Sequence, residues 1–202
     1  MSYQPSITLC INSSDPQHPH VQVGGNKFCT TCGAAIALQN RYIPLKKSGT
    51  GGFAVIYTVW DLQTQTERVL KILLENSPKA KELFQQEAAI LQSLDHPGVP
   101  KVEADSYFSL PAGNSNPREL FCLVMEKIDG QTLEVILDRY PQGCPEEMVQ
   151  DWFGQAVEIL QVLHSRHIIH RDLKPSNLML RQQTNRLVLI DFGGAKKMRS
   201  RQ

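Results

Sequence analysis

Long apolar runs are missing from this chain of 202 residues. The longest, at residues 120–125 and 187–190, are far shorter than the roughly 20 residues that a membrane-spanning helix requires. The N-terminus carries polar residues where a secretion signal would have an apolar core. The pattern therefore predicts a cytoplasmic protein without a membrane anchor.

Excess charge and a regular set of cysteines are also missing. The 21 Lys and Arg residues nearly balance the 20 Asp and Glu residues, and the net charge of +1 offers no basic field for nucleic acid. The five cysteines are odd in number and unevenly spaced, which does not indicate a disulfide framework. Both features agree with a cytoplasmic protein that does not bind nucleic acid.

The strongest positive signal is a polar loop followed by a short apolar strand and a second polar turn. The loop has the sequence HRDLKPSN at residues 170–177, and the turn is Asp191-Phe192-Gly193. Asp172, Asn177 and Asp191 thus place two carboxylates and an amide on one hairpin. Such oxygen ligands suit a hard cation such as Mg²⁺ with a bound phosphate.

A glycine-rich turn lies upstream, at residues 49–54. Gly49, Gly51 and Gly52 let the backbone approach phosphate oxygens and donate N–H groups to them. A dinucleotide-binding site of the Rossmann type would need a helix after the turn. Residues 55–60 are instead β-branched and aromatic, so they predict a strand.

A single lysine, Lys71, lies in the apolar run at residues 68–74. A buried ammonium group is costly unless an anion accompanies it, so Lys71 needs an acidic partner. Glu87 is the expected partner, because it lies close to the apolar stripe of the next predicted helix. Glu82 is the second choice, and a lysine that reaches solvent from a strand edge is the alternative interpretation.

These motifs together resemble the signature set of protein kinases. The resemblance covers about residues 41–197, and the lysine of HRDLKPSN is closer to the serine/threonine class. It implies an α+β, bilobal fold with a five-stranded antiparallel N-lobe and one helix at 41–125, a hinge at 126–130, and a partial helical C-lobe at 131–202. That C-lobe is expected to be incomplete, because little sequence follows Gly193.

The resemblance also implies a role for each matching residue, with ATP and Mg²⁺ as cofactors and protein Ser/Thr hydroxyls as substrates. Asp172 would be the catalytic base, and Lys174 would offset charge in the transition state. Asn177 and Asp191 would bind Mg²⁺. Lys71 would bind the α- and β-phosphates, and Glu87 would hold Lys71 there as an ion pair. Gly49, Gly51 and Gly52 would form the phosphate flap. Adenine would be bound by Glu126, Ile128, Ile56, Val69 and Met179.

Residues 1–40 differ in composition and predict either a zinc-ribbon-like or a flexible segment. Cys29 and Cys32 form a CxxC knuckle followed by glycine, the usual half of a structural zinc site, and Cys10 is the expected third ligand. The fourth ligand stays open among Asp15, His18 and His20. A short ribbon before the kinase domain resembles an arrangement in bacterial, notably cyanobacterial, kinases. The alternative is a tail that binds no metal.

The periodicity of apolar residues predicts the other elements. Strands are expected at residues 41–47, 55–60, 68–74, 101–110 and 120–125, and helices at 77–94, 131–140 and 145–164, the last with an apolar core stripe that includes Val149 and Phe153. Three functions are consistent with the sequence. They are an active serine/threonine kinase, a nucleotide-binding pseudokinase that serves as a regulatory module, and a zinc-ribbon interaction protein with a residual kinase lobe.

Overall fold

The structure is a computed structural model that describes residues 5–12, 16–112 and 118–198. The chain divides into two compact units, each made from two stretches of sequence. The first, called here the sheet unit, comprises Met1–Glu82 and Glu103–Lys127. The second, called the helical unit, comprises Leu83–Val102 and Ile128–Gln202.

The sheet unit contains the predicted five-stranded antiparallel sheet. The elements as far as Glu126 are β1 (Ile7–Cys10), β2 (His20–Val23), β3 (Tyr42–Thr50), β4 (Ala54–Asp61), β5 (Thr66–Leu73), α1 (Pro78–Gln92), β6 (Tyr107–Ala112) and β7 (Arg118–Glu126). Helix α1 belongs to the helical unit from Leu83 onward. Strands β1 and β2 form a separate two-stranded sheet. The larger sheet has the order β3-β4-β5-β7-β6, in which every neighbouring pair is antiparallel.

One face of the larger sheet is buried in an apolar core, and we call it the back face. On β4 it carries Val55, Tyr57 and Val59, none of which is exposed, because alternate residues of a strand point to the same side. Residues before β3 belong to the same core. Leu9, Ile11 and Leu38 pack into this cluster, so the N-terminal segment, called here the ribbon (residues 5–12 and 16–40), covers the back face.

A cluster of charged side chains lies where the ribbon joins the sheet. Arg41 donates hydrogen bonds to Asp61 at the end of β4, and to Glu103 and Asp105. Arg68 on β5 also binds Glu103. These bonds hold residues 103–105 in a turn, so the strand predicted at 101–110 starts only at Tyr107 and this part of the prediction was wrong.

The elements that complete the helical unit after the strands are short, apart from one helix. They are β8 (Gly130–Thr132), α2 (Leu133–Leu137), α3 (Glu146–Ser165), β9 (Ile168–Ile169), the 3₁₀ turn Pro175–Asn177, β10 (Leu178–Arg181), β11 (Leu187–Leu189) and β12 (Lys196–Lys197). Strands β11, β10 and β8 form one small antiparallel sheet, and β12 pairs with β9.

Helix α2 is shorter than the predicted helix at residues 131–140. The residues before it form β8, which pairs with β10, and Thr132 then caps the helix by accepting a hydrogen bond from the Val135 N–H. Helix α1 begins near its predicted start. The Ser77 hydroxyl accepts a hydrogen bond from the Ala80 N–H at 3.1 Å, which satisfies one of the open donors of the first turn.

Helix α3 lies within one residue of its predicted bounds, but its apolar stripe is only partly buried. Trp152, Ile159 and Leu163 are buried, whereas Val149 is exposed and Phe153 is 70% exposed. The core stripe predicted for these last two residues was therefore wrong in this structure. Among the described residues, no helix has the length and apolar character needed to span a membrane.

Candidate active site and metal centre

The catalytic loop predicted from HRDLKPSN forms a compact network centred on Asp172. The Lys174 ammonium group donates to the Asp172 carboxylate at 2.8 Å. The Asn177 side-chain amide donates to the same carboxylate at 3.0 Å and to the Asp172 backbone carbonyl at 2.9 Å. The 3₁₀ turn before β10 supplies this geometry, because it brings Asn177 back toward Asp172 within five residues.

Asp191 is placed next to this network by the β10–β11 hairpin. Leu178 pairs with Leu189, and the Ile190 N–H donates to the Asn177 carbonyl at 2.9 Å, so Asn177 and Asp191 lie at the same end of the hairpin. The Asp191 carboxylate accepts a hydrogen bond from the Gly193 N–H at 3.2 Å. The hairpin thus brings together both predicted Mg²⁺ ligands.

The ion pair between Lys174 and Asp172 affects the titration of both groups. The hydrogen bond from Lys174 lowers the pKa of Asp172; burial opposes this effect, and the hydrogen bond from the Asn177 amide adds to it. The carboxylate in turn raises the pKa of Lys174. Asp172 is therefore ionised and Lys174 protonated at neutral pH, the states required of a proton acceptor and a cationic charge stabiliser.

The residues around Asp172 are fixed by packing. His170 is buried and lies edge-on against Phe192, with 4.9 Å between the ring centroids, and burial lowers its pKa. Arg171 adopts a positive φ of 68°, and its guanidinium group donates to the Gly194 carbonyl at 2.9 Å. His170 and Phe192 are thus packing residues, and Arg171 connects the catalytic loop to the segment that follows Asp191.

The sheet unit holds Lys71 and the first part of the predicted nucleotide site on the face opposite the back face. Lys71 lies opposite Ile56 on β4, and Val69 lies opposite Thr58, so Ile56, Val69 and Lys71 share one face. All three are partly exposed. The Gly51 N–H donates to the Ala54 carbonyl at 2.8 Å, which closes the glycine turn between β3 and β4.

The other predicted nucleotide contacts divide between the units. Glu126 is the last residue of β7 in the sheet unit. In the helical unit, Glu87 lies buried on α1, Ile128 is buried, and Met179 on β10 is partly exposed. Their assignment to adenine and phosphate remains a prediction.

The three predicted zinc ligands lie together in the ribbon, with one histidine. The ligand atoms of Cys10, His20, Cys29 and Cys32 all lie within 4.8 Å of one another. Within this cluster the Sγ atoms of Cys10 and Cys32 are 3.6 Å apart, and Cys29 Sγ is 3.5 Å from His20 Nδ1. Of the other residues considered for the fourth position, His18 is not in this cluster and Asp15 lies outside the described residues.

The geometry and chemistry of this cluster fit a tetrahedral zinc ion. Zinc bonds of about 2.0–2.3 Å place tetrahedral ligand atoms about 3.3–3.8 Å apart, which matches the separations of 3.6 and 3.5 Å. The Thr31 N–H also donates to Cys29 Sγ at 3.4 Å. Burial opposes ionisation of Cys29, but the N–H groups of Cys32 and Thr31 outweigh it and lower its pKa to about 6. The knuckle therefore favours the thiolate that a metal requires.

The fourth ligand was not resolved in the sequence because spacing alone does not separate His18 from His20. Strand pairing does separate them, since β1 and β2 place Cys10 directly opposite His20. Gly33, with a φ of +74°, closes the knuckle and donates its N–H to the Cys29 carbonyl at 2.8 Å. The signal that identifies His20 as the fourth ligand is therefore its pairing with Cys10, beside the CxxC pair.

Comparisons with known proteins agree with this geometry. A family model described as "Protein kinase domain" matches residues 42–202. The chain is 36% identical over 194 residues to "Serine/threonine-protein kinase F" of Synechocystis sp., which covers 88% of this chain and 38% of the relative. It is 37% identical over 171 residues to "Serine/threonine-protein kinase PknA" of Nostoc sp., covering 79% of this chain and 28% of the relative.

A further relative comes from another bacterial group. The "Probable serine/threonine-protein kinase YbdM" of Bacillus subtilis is 30% identical over 172 residues, which covers 81% of this chain and 60% of the relative. The chain thus spans less than two thirds of the length of each of these three proteins.

Proposed function

Because the chain belongs to the protein kinase family, and to its serine/threonine class, we propose that it transfers the γ-phosphoryl group of ATP to Ser/Thr hydroxyls of protein substrates. The observation that supports this most is the double contact of Lys174 and Asn177 with the Asp172 carboxylate. That contact fixes a general base beside a cation and an amide. A kinase domain at 41–202 would follow the ribbon segment at 1–40.

In the proposed reaction Asp172 aligns the substrate hydroxyl and accepts its proton. The hydroxyl oxygen forms a bond to the γ-phosphorus, and the bond from that phosphorus to the bridging oxygen of the ADP leaving group breaks. Lys174 offsets the negative charge that spreads over the transferred group. The proton on Asp172 then passes to solvent.

Asn177 and Asp191 are the proposed Mg²⁺ ligands. The Asn177 amide nitrogen donates to Asp172, which leaves the amide oxygen as the side-chain atom that can bind a cation. Magnesium prefers such oxygen ligands, so Asn177 and Asp191 would hold the ion, which would offset the negative charge of the phosphates.

The remaining nucleotide contacts follow the same assignment. The family resemblance assigns Lys71 to the α- and β-phosphates and Glu87 to the ion pair with Lys71, and we propose these roles here. The glycine turn with Gly49, Gly51 and Gly52 would cover the phosphates, and the Gly51 N–H holds this turn closed through its bond to the Ala54 carbonyl. For adenine, the resemblance assigns the backbone of Glu126 and Ile128 and the side chains of Ile56, Val69 and Met179, and we propose these roles as well.

Transfer of labelled phosphate from ATP to a generic basic protein tests the proposal. The parent chain should label the protein, and Asp172→Asn should reduce the rate by at least about 10²-fold, since general-base catalysis contributes about that much. Asp151→Asn, on the exposed surface of α3, is the matched control and should keep the parent rate. No transfer by the parent would contradict kinase activity of this chain.

A second measurement separates an enzyme from a nucleotide-binding pseudokinase. MgATP should raise the melting temperature of the parent chain, and Asp191→Ala should abolish the rise. A rise without phosphate transfer would support the regulatory module instead. The absence of any rise in the parent would contradict a nucleotide site.

The four-ligand cluster of the ribbon supports a second function, the binding of structural zinc. We assign Cys10, His20, Cys29 and Cys32 as its ligands, because their ligand atoms all lie within 4.8 Å of one another and form the Cys₃His set of a structural zinc site. Metal analysis should give one zinc per chain, and Cys29→Ser should lose it while Cys144→Ser keeps it. We also propose a cytoplasmic location, since a thiolate site of this kind suits a reducing compartment.

A further inference from the structure

The ribbon packs against the sheet that carries the proposed phosphate contacts. Leu9, Ile11 and Leu38 pack into one core with the back face of the sheet, whose opposite face carries Lys71. A change in how the ribbon packs would therefore act on both faces of the same strands. The metal ligands lie in this covering layer, and Cys10 and Cys29 are themselves buried.

Two hydrogen bonds connect the ribbon to the strands that flank the glycine turn. The hydroxyl of Tyr57, a fully buried residue of β4, donates to the Pro16 carbonyl. The Lys47 ammonium group on β3 donates to the Gln17 carbonyl at 3.1 Å. Both acceptors belong to the segment that joins β1 to β2.

Pro16 and Gln17 are close to the metal site in the chain, since the ligand His20 follows them by four and three residues. Cys10 is the last residue of β1 and His20 the first residue of β2, and the strand register places the two opposite each other. A bound ion would hold these ends together and fix the carbonyl groups of Pro16 and Gln17. Strands β1 and β2 pair through only four residue pairs. A hairpin this short is marginally stable by itself, so it depends on the ion.

On the basis of the nucleotide site proposed above, we infer that zinc at the Cys10 site holds β3 and β4 in the arrangement that binds MgATP, and that Tyr57 is the positioning residue that transmits this effect. Tyr57 lies on the back face, so it acts through the strands and not on the nucleotide. Zinc occupancy and nucleotide affinity are then linked, and each raises the other. This linkage gives the ribbon a regulatory role beyond stability.

The first test compares the zinc-loaded chain with Cys32→Ser, and uses Cys144→Ser as the control cysteine. Hydrogen exchange, zinc content and MgATP affinity by calorimetry are measured on each. Loss of zinc should speed exchange in β3 and β4 and weaken MgATP binding about tenfold, whereas Cys144→Ser should change none of the three. Faster exchange confined to residues 16–36, with parent rates in β3 and β4, would overturn the inference.

The second test isolates Tyr57 with a thermodynamic cycle. Tyr57→Phe removes only the hydroxyl, so the core packing is retained. In the zinc-loaded chain the substitution should weaken MgATP binding about fivefold, the equivalent of one hydrogen bond. In the Cys32→Ser background it should have no further effect, because the acceptor is no longer fixed. A residue with only a structural role would give the same loss in both backgrounds, and that result would overturn the assignment.

A control variant and two further measurements separate the linkage between zinc and MgATP from a failure of the proposed nucleotide site. Tyr140→Phe, which lies outside the sheet unit, should keep the parent affinity in both backgrounds. If the zinc-loaded parent binds no MgATP, the proposed nucleotide function fails, and the exchange rates of β3 and β4 with and without zinc still decide the structural linkage. If the purified parent contains no zinc and does not bind it on titration, the inference is overturned directly.

Discussion

The guanidinium group of Arg41 binds the carboxylate of Asp61 through two hydrogen bonds, both of 2.8 Å. The pair joins the residue before β3 to the end of β4, and the Asp61 side chain is entirely shielded from solvent. The Gln63 N–H and the Thr64 hydroxyl also donate to Asp61, so its carboxylate is fully occupied. Planar, bidentate pairs of this kind are the strong form of ion pair.

We expect Asp61→Asn to lower the free energy of unfolding by about 3 kcal/mol, because it leaves the largely buried Arg41 without its main counter-charge. Urea unfolding followed by circular dichroism measures this loss. Glu82→Gln is the control, since Glu82 pairs with Lys79 in an exposed i,i+3 bridge and should change stability by less than about 0.5 kcal/mol. An equal effect of both substitutions would contradict the interpretation.

The same pair predicts a pH dependence of stability. Burial alone would raise the pKa of Asp61, but hydrogen bonds from Arg41, Gln63 and Thr64 outweigh it and lower the pKa to about 2. The unfolded value is about 3.9, so between the two the unfolded state binds more protons. The stabilisation from ionised Asp61 is therefore complete above about pH 4 and is lost as the pH falls to about 2.

Arg41→Met should move this acid loss to higher pH, because burial then acts on Asp61 without the opposing hydrogen bonds of Arg41. Urea midpoints measured between pH 2 and pH 6 give the profile for each protein. Parallel profiles for parent and variant would show that Arg41 does not control the titration of Asp61.

Gly130→Ala should disrupt the pairing of β8 with β10. A Cβ at Gly130 would lie 2.1 Å from the carbonyl oxygen of Leu180, a backbone atom that cannot move without breaking the small sheet. We expect a loss of at least about 2 kcal/mol in the free energy of unfolding. Gly154→Ala is the matched control, because that site on α3 is open and alanine favours the helix by up to about 1 kcal/mol.

Asn177→Asp tests the amide that faces Asp172. The new carboxylate keeps an oxygen for Mg²⁺ but replaces an N–H donor 3.0 Å from Asp172 by a second negative charge. The pKa of Asp172 should rise, and phosphate transfer should become weaker and require higher pH. Rates across a pH series at saturating Mg²⁺ measure the shift. An unchanged pH profile would argue against the observed contact.

Much of the candidate site could be predicted from sequence because its residues are close together in the chain. Asp172, Lys174 and Asn177 lie within one six-residue loop, so local turn geometry brings them into contact. His20 could not be chosen over His18 in the same way. That choice depends on the register between β1 and β2, which the short segments do not determine before they pair.

The errors in the predicted fold have a similar cause. Residues 101–106 have the alternation of a strand, but Glu103 is drawn into a turn by Arg41 and Arg68, which come from distant parts of the chain. Strand β8 has three residues and exists because β10 pairs with it. Both depend on partners far away in sequence, and local propensity carries no information about them.

The contact between the ribbon and the back face affects how the protein can be produced. A shortened version that began at Tyr42, where the family match starts, would lose Leu9, Ile11 and Leu38 and leave the apolar side chains of β4, β5 and β7 facing water. Exposed β-branched strands of this kind promote aggregation. Recombinant work on the catalytic region should therefore retain the first forty residues and supply zinc during expression.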